Sequence, residues 1–282
     1  MPSGSSAGVN EGMAPALRGS RIGTRIASAL VLIPVALIAA ILGSPYFDLL
    51  VVVAGALMAW EWMRLVGEGH LPLPGGLGIV AVVASIVVLS FFPVRHALSV
   101  LAAGALLAGA VAGARRGRGG WYLLGVLYAG LPCCAILWLR AQPMGLETVL
   151  WLFGLVWATD TGAYLAGRAI GGPKLMPAVS PNKTWAGLIG GVAAAALAGT
   201  VAAVLIEEAS AYTLATASAA LAVIAQGGDL VESALKRRFG VKDSSQLIPG
   251  HGGLLDRVDG LVAVVLAAAA VAALRGESVL TW

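Results

Sequence analysis

Long apolar runs separated by short polar segments fill this chain from about residue 26 onward. A helix needs about 20 residues to cross the hydrocarbon core of a bilayer. Nine runs approach or reach that length: 26–43, 46–66, 75–92, 97–113, 121–139, 148–167, 185–206, 211–231 and 258–274. The pattern predicts an all-α, polytopic integral membrane protein with about nine transmembrane helices. Residues 1–25 are rich in Ser, Gly and Ala, lack apolar periodicity, and read as a disordered cytosolic tail. The first apolar run reads as a retained helix rather than a cleaved signal. The rest divides into N-terminal helices over 26–120 and C-terminal helices with polar loops over 121–282.

Composition agrees with this reading. Of 282 residues, 59% are hydrophobic and 11% charged, whereas a soluble domain has about half and about a quarter. Mean hydropathy is +0.90. These values exclude a disordered chain, a nucleic-acid-binding module and most soluble enzymes. Cys133 and Cys134, adjacent in an apolar run, read as buried thiols rather than a disulfide framework.

Charge placement tests the helix count. With the N-terminus inside, the outer segments hold only Arg95, Arg140 and Arg275 of the 18 basic residues. Basic residues accumulate on the cytoplasmic side of membrane proteins. Nine helices, with the N-terminus cytoplasmic and the C-terminus outside, satisfy that bias. Topology alone accounts for a loop such as Arg115-Arg116-Gly117-Arg118.

Two inner segments, roughly 157–187 and 226–260, mix carboxylates, basic residues, glycine and proline. In the second, Asp229, Ser233 and Lys236 share one face if the eighth helix continues through them, with Arg237 close by. Each could equally belong to a surface network at a helix end. Asp256 and Asp259 are spaced i, i+3 at the start of the last helix, flanking Arg257. Either alone could be an ordinary N-terminal acid. As a pair near membrane depth they point to function, because ionisable groups there are costly. Convergence of Asp229, Asp256 and Asp259 from two helices would suit Mg²⁺, a hard ion that also takes phosphate oxygens. Lys236, Arg237, Lys242 and Arg257 would then neutralise phosphate charge. This mixture suggests phosphoryl or nucleotidyl transfer. No Ser-His-Asp constellation is evident, and His251 alone makes no zinc site.

In the first segment, Asp160 falls inside a span, where a hydrogen-bonded structural role is the plain alternative. Ser180-Pro181 reads as a turn. Lys183 and Thr184, at the expected start of the seventh helix, could hold an anion with the free N–H groups. The chain contains no Gly-x-x-x-x-Gly-Lys-Ser/Thr loop, so any nucleotide is held differently.

The stretch from Ser233 to Asp259 resembles the C-terminal signature of the phosphatidate cytidylyltransferases, or CDP-diacylglycerol synthases. It carries Ser233, Lys236-Arg237, Lys242-Asp243, Pro249-Gly250-His251-Gly252-Gly253 and Asp256-Arg257-Val258-Asp259 in register. Asp160-Thr161-Gly162-Ala163-Tyr164, Gly167-Arg168 and Ser180-Pro181-Asn182-Lys183-Thr184-Trp185 are similar to further family motifs. The chain departs at Gly172-Pro173-Lys174, which has one basic residue fewer than many relatives, and at Ala186, where many have an acid or amide.

The resemblance implies a membrane enzyme of phospholipid biosynthesis that converts CTP and phosphatidate to CDP-diacylglycerol and pyrophosphate. It implies Mg²⁺ (a second cation is left open), a homodimer, and an active site facing the cytoplasm in a bacterial inner membrane. Residue by residue, Asp229, Asp256 and Asp259 would serve the metal. Asp229, Lys236, Arg237, Asp256 and Asp259 would carry the catalytic role. Asp160, Lys183, Ser233, Lys242, His251 and Arg257 would bind substrate. Two other readings remain: a CTP-dependent polyprenol or phytol kinase, which would transfer the γ-phosphate, and a secondary transporter. Transporter sites usually lie at the bilayer midplane, whereas most of this polar cluster falls in loops.

Overall fold

The computed structural model describes residues 30–206, 209–248 and 252–281. The proposed tail over 1–25 lies outside them, as does His251. Within them are nine helices of ten residues or more: α1 (Leu30–Leu42), α2 (Tyr46–Val66), α3 (Leu73–Phe91), α4 (Val94–Arg116), α5 (Gly119–Arg140), α6 (Gly145–Ala169), α7 (Trp185–Leu205), α8 (Ala211–Arg238) and α9 (Leu255–Arg275). Eight are long and apolar enough to cross a membrane; the described part of α1 is shorter. The chain is an integral membrane protein of the all-α class.

Most helices extend past the apolar runs that betray them. α8 continues to Arg238 and α9 already begins at Leu255. Their polar ends hold backbone geometry because their side chains find protein partners. Both conditions set by the sequence pattern, a continuous α8 and an early α9, are therefore met.

One feature departs from the expected pattern. Between α6 and α7, β1 (Lys174–Met176) pairs antiparallel with β2 (Ser180–Thr184), with Lys174 opposite Thr184. Ser180-Pro181 thus opens a strand, and Lys183 lies on it rather than at a helix start. The strands are too short and too exposed to show alternation. Thr184 is the N-cap of α7, its hydroxyl accepting from Gly187 N at 3.0 Å. Its hydroxyl oxygen is therefore engaged within the helix cap.

α2, α3, α4 and α5 pack together, and α6, α7 and α8 form a second group. α9 lies between the groups, touching α5, α6 and α8. Trp62, Tyr122, Phe47 and Met63 are among the fully buried side chains of the first group. Trp62 donates to the Trp121 carbonyl at 2.9 Å and stacks on Tyr128. In the second, buried Trp151 donates to Ser218 Oγ at 3.0 Å, tying α6 to α8. α6 and α7 approach so closely that a Cβ on Gly190 would collide with Ala166. Small residues permit such approach where no hydrophobic force between helices exists. Cys133 and Cys134 are free and buried.

Candidate active site

The facing ends of α8 and α9 carry a connected set of charged groups. On α8, Asp229 lies one turn before Ser233, whose hydroxyl donates to it at 3.4 Å. Lys183 reaches across from β2 to Asp229, with Nζ 2.5 Å from Oδ2, and also donates to the Gln226 carbonyl at 3.4 Å. The short ribbon therefore places its lysine against the middle of α8. Asp160, exposed on α6, is in electrostatic reach of Asp229, Lys183 and Arg257.

One turn further along α8, Glu232 and Lys236 form a second centre. Lys236 Nζ lies 2.5 Å from Asp256 Oδ1 and 3.3 Å from Glu232 Oε2. The side chains of Glu232 and Asp256 are only 4% and 5% exposed, so this lysine is the counter-ion for two buried acids. Glu232 also faces Asp259. Asp259 Oδ1 accepts from the Gly260 N–H at 2.8 Å. Glu232 Oε1 is buried with no hydrogen-bond donor among the described residues. Five carboxylates (Asp160, Asp229, Glu232, Asp256 and Asp259) thus share three cations, Lys183, Lys236 and Arg257.

Asp256 is the most constrained of these acids. Oδ1 holds Lys236, while Oδ2 accepts from Ser244 N at 2.9 Å, Ser244 Oγ at 3.0 Å and Gly253 N at 2.8 Å. Both oxygens are committed, which suits a positioning role. Acting as a third metal ligand would require it to release some of these donors. Among the described residues, no three His, Cys, Asp or Glu side chains sit at metal-ligand spacing. The donor chemistry nevertheless fits a hard cation. The acids outnumber the bases, and one buried carboxylate oxygen lacks a donor. Mg²⁺ commonly takes only one or two carboxylates, completing its shell with water and substrate phosphate.

Sequence reasoning missed Glu61. This residue of α2 is completely buried. It accepts from Ser245 Oγ at 2.6 Å and Leu254 N at 2.8 Å on Oε1 and from Leu255 N at 2.8 Å on Oε2, where the single Ser244 hydroxyl proton, with Oγ 3.1 Å away, is shared with Asp256. It supplies acceptors for N–H groups at the start of α9, the need every helix N-terminus has. Gly253 is required beside it: a Cβ there would lie 2.6 Å from Glu61 Oε1 and closer still to Ser244 Oγ. The available signal was a lone carboxylate, flanked by Trp60 and Trp62, inside an apolar run. Glu232 was likewise passed over, although it lies one turn from Lys236.

Two expected site residues lie apart from this cluster. Arg237 is exposed and donates to the Val241 carbonyl at 3.1 Å, closing the end of α8. Lys242 is exposed and lines a cavity on the far side of the 243–248 segment. Of the remaining expected residues within the described structure, Asp160, Lys183, Asp229, Ser233, Lys236, Asp256, Arg257 and Asp259 all belong to the α6, β2, α8 and α9 constellation.

Fold and site together define a multi-span membrane protein whose buried acids and lysines converge at one end of two helices. That description fits the sequence comparisons. Residues 23–274 match the Cytidylyltransferase family, and the chain belongs to it. A protein of Brucella suis named phosphatidate cytidylyltransferase is 40% identical over 249 residues, covering 86% of this chain and 90% of the relative. Proteins of the same name match over shorter segments. That of Staphylococcus epidermidis is 42% identical over 144 residues, covering 51% of this chain and 55% of its own length. That of Haemophilus influenzae is 48% identical over 126 residues, covering 43% and 44%.

Proposed function

We propose that this protein is the enzyme that transfers the cytidylyl group of CTP to phosphatidate, giving CDP-diacylglycerol and pyrophosphate for phospholipid biosynthesis. The observation that carries this reading is the continuity of the site. Ser233, Lys236, Asp256 and Arg257 of the signature gather with the upstream Asp160, Lys183 and Asp229 at one end of α8 and α9, as two reacting phosphates would require.

The phosphatidate oxygen attacks the α-phosphorus of CTP. The bond from that phosphorus to the bridging α,β-oxygen breaks, and pyrophosphate leaves. A phosphate monoester has its second pKa at about 6, so the attacking oxygen is already anionic and needs no general base. Catalysis is positioning and charge stabilisation. Lys183 and Arg257 supply positive charge near the reacting phosphates, and Ser233 donates a hydrogen bond. Lys236 and Asp256 hold α8 and α9 in register beneath them. Asp229 and Asp259, with Glu232 beside them, would hold Mg²⁺. When bound, that ion supplies Lewis-acid stabilisation of phosphate charge.

The reading places the site on the cytoplasmic side of a bacterial inner membrane, in keeping with the basic residues of the same loops. It also carries a homodimer, which light scattering of the purified protein would test. The reaction itself is tested with CTP labelled at the α or γ position, phosphatidate and Mg²⁺. Label reaching lipid from the α position only, with pyrophosphate released, is the expected result. Label from the γ position would instead make the protein a lipid kinase.

A further inference from the structure

The contacts that fix Asp256 reach well beyond α9. Ser244 sits between two buried carboxylates, with Oγ 3.0 Å from Asp256 Oδ2 and 3.1 Å from Glu61 Oε2. A hydroxyl has one proton, so it donates to one acid while its lone pairs face the other. The backbone N–H of Ser244 is fixed on Asp256 Oδ2 at 2.9 Å. From Asp256 the contacts continue to Lys236, and from Lys236 to Glu232. One run of polar contacts therefore joins α2, the 243–248 segment, α9 and α8. Its first member belongs to the group formed by α2 to α5, and its last to the group formed by α6 to α8. Among the described residues, the Ser244 hydroxyl is the one group within hydrogen-bond distance of both Glu61 and Asp256.

Serine hydroxyls in loops commonly bond backbone groups a few residues away. Ser245 does so in part: its oxygen accepts from Leu247 N at 3.1 Å, while its proton goes to Glu61 Oε1 at 2.6 Å. Ser244 makes no local bond of this kind among the described residues; its hydroxyl faces partners 12 and 183 residues away. Packing does not fix it from behind either. A cavity of about 1250 Å³ lies on that side, with Ser244 in its wall. Lys242, Asp243, Gln246 and Leu247 around it are exposed. On the side of the acids there is no slack, since a Cβ on Gly253 would collide with Ser244 Oγ. Hydrogen bonds to two acids, and not side-chain packing, set the position of this serine.

We infer that Ser244 is a positioning residue for the transfer reaction, its hydroxyl coupling Glu61 of α2 to Asp256 and so fixing where Lys236 stands. The helices α2 to α5 then form part of the catalytic frame. This inference rests on the cytidylyltransferase reading and adds how the first helix group bears on the chemistry. Misplacing a positioning group by about 1 Å costs about a hundredfold in rate, so a single hydroxyl at this junction suffices to matter.

The test compares Ser244→Ala with Ser245→Ala in full-length protein in lipid nanodiscs. Each variant loses a hydroxyl beside Glu61, and only Ser244→Ala loses one beside Asp256. Ser244→Ala keeps the backbone N–H on Asp256 and adds no bulk. The α-label assay gives kcat and both KM values, and amide hydrogen exchange reports on the resting protein. Ser244→Ala is expected to lower kcat by about tenfold to a hundredfold, to leave both KM values unchanged, and to lower protection over 232–238 and 255–259. Ser245→Ala is expected to loosen 243–248, to spare 232–238, and to show the smaller loss of kcat. Wild-type kcat in Ser244→Ala overturns the inference. So does an equal loss in both variants, which would make Ser244 a support of its own segment alone. A raised KM with kcat intact also overturns it, by placing Ser244 against substrate. If wild-type protein transfers no α-label to lipid, the cytidylyltransferase reading falls and exchange alone decides the coupling. Lost protection over 232–238 in Ser244→Ala only would sustain it, and matching patterns in the two variants would end it.

Discussion

Replacing Glu61 with glutamine changes one atom and removes one charge, yet the geometry leaves it no harmless orientation. Each carboxylate oxygen faces one serine hydroxyl and accepts from one backbone N–H, Leu254 on Oε1 and Leu255 on Oε2. A hydroxyl can rotate away; a backbone N–H at a helix start cannot. Whichever way the amide is placed, its NH₂ faces an N–H donor. One buried donor left unsatisfied costs about 1–3 kcal/mol, and hydrogen bonds to a charged group are worth about 1.5–3 kcal/mol each. Allowing for partial relaxation, a net loss of about 2–4 kcal/mol falls on the 243–255 segment. That corresponds to roughly thirty-fold to several hundred-fold in local opening. Ser244 and Gly253 supply three of the bonds that hold Asp256, so turnover should fall by a comparable factor. Amide hydrogen exchange over 243–255, measured beside kcat in the cytidylyl-transfer assay, gives both quantities. Protection should drop there and persist in α3 and α4. Wild-type kcat with unchanged protection in that segment would refute the argument.

Other outcomes follow from the same site. Asp256→Asn should abolish measurable turnover in the α-label assay while the protein stays folded by circular dichroism, because the 2.5 Å contact with Lys236 loses its charge; near-normal activity would remove Asp256 from the machinery. Lys183→Met, which leaves Asp229 without its ammonium partner, should lower kcat/KM by about tenfold to a hundredfold, read by steady-state kinetics. Gly253→Ala should also impair turnover by at least about tenfold, since its Cβ meets Glu61 and Ser244 and overpacking costs about 1–3 kcal/mol; unchanged kinetics would mean the segment shifts freely.

The architecture was largely legible because lipid imposes a simple rule: backbone polar groups must be satisfied within each span. Apolar run length therefore located the nine long helices of the described residues. The spacing of Asp229 and Ser233 also foretold their contact along α8. Lys236 did not join them; it turned to Glu232 and Asp256, a choice settled by α9, which lies across a loop. The ribbon holding Lys183 escaped because three to five exposed residues show no periodicity. Glu61 escaped for a different reason. Its partners lie 183 to 194 residues away, and no local pattern encodes a contact of that range.

That separation has a consequence for how the chain is made. Ribosomes add about 5–20 residues per second, so Glu61 emerges roughly 10–40 s before Leu254 and Leu255 exist to meet it. During that interval the carboxylate has none of the donors that later bury it and must remain hydrated, at the bilayer surface or against the insertion machinery. A chain interrupted before Leu254 would leave this carboxylate without the two backbone donors that satisfy it in the full-length protein.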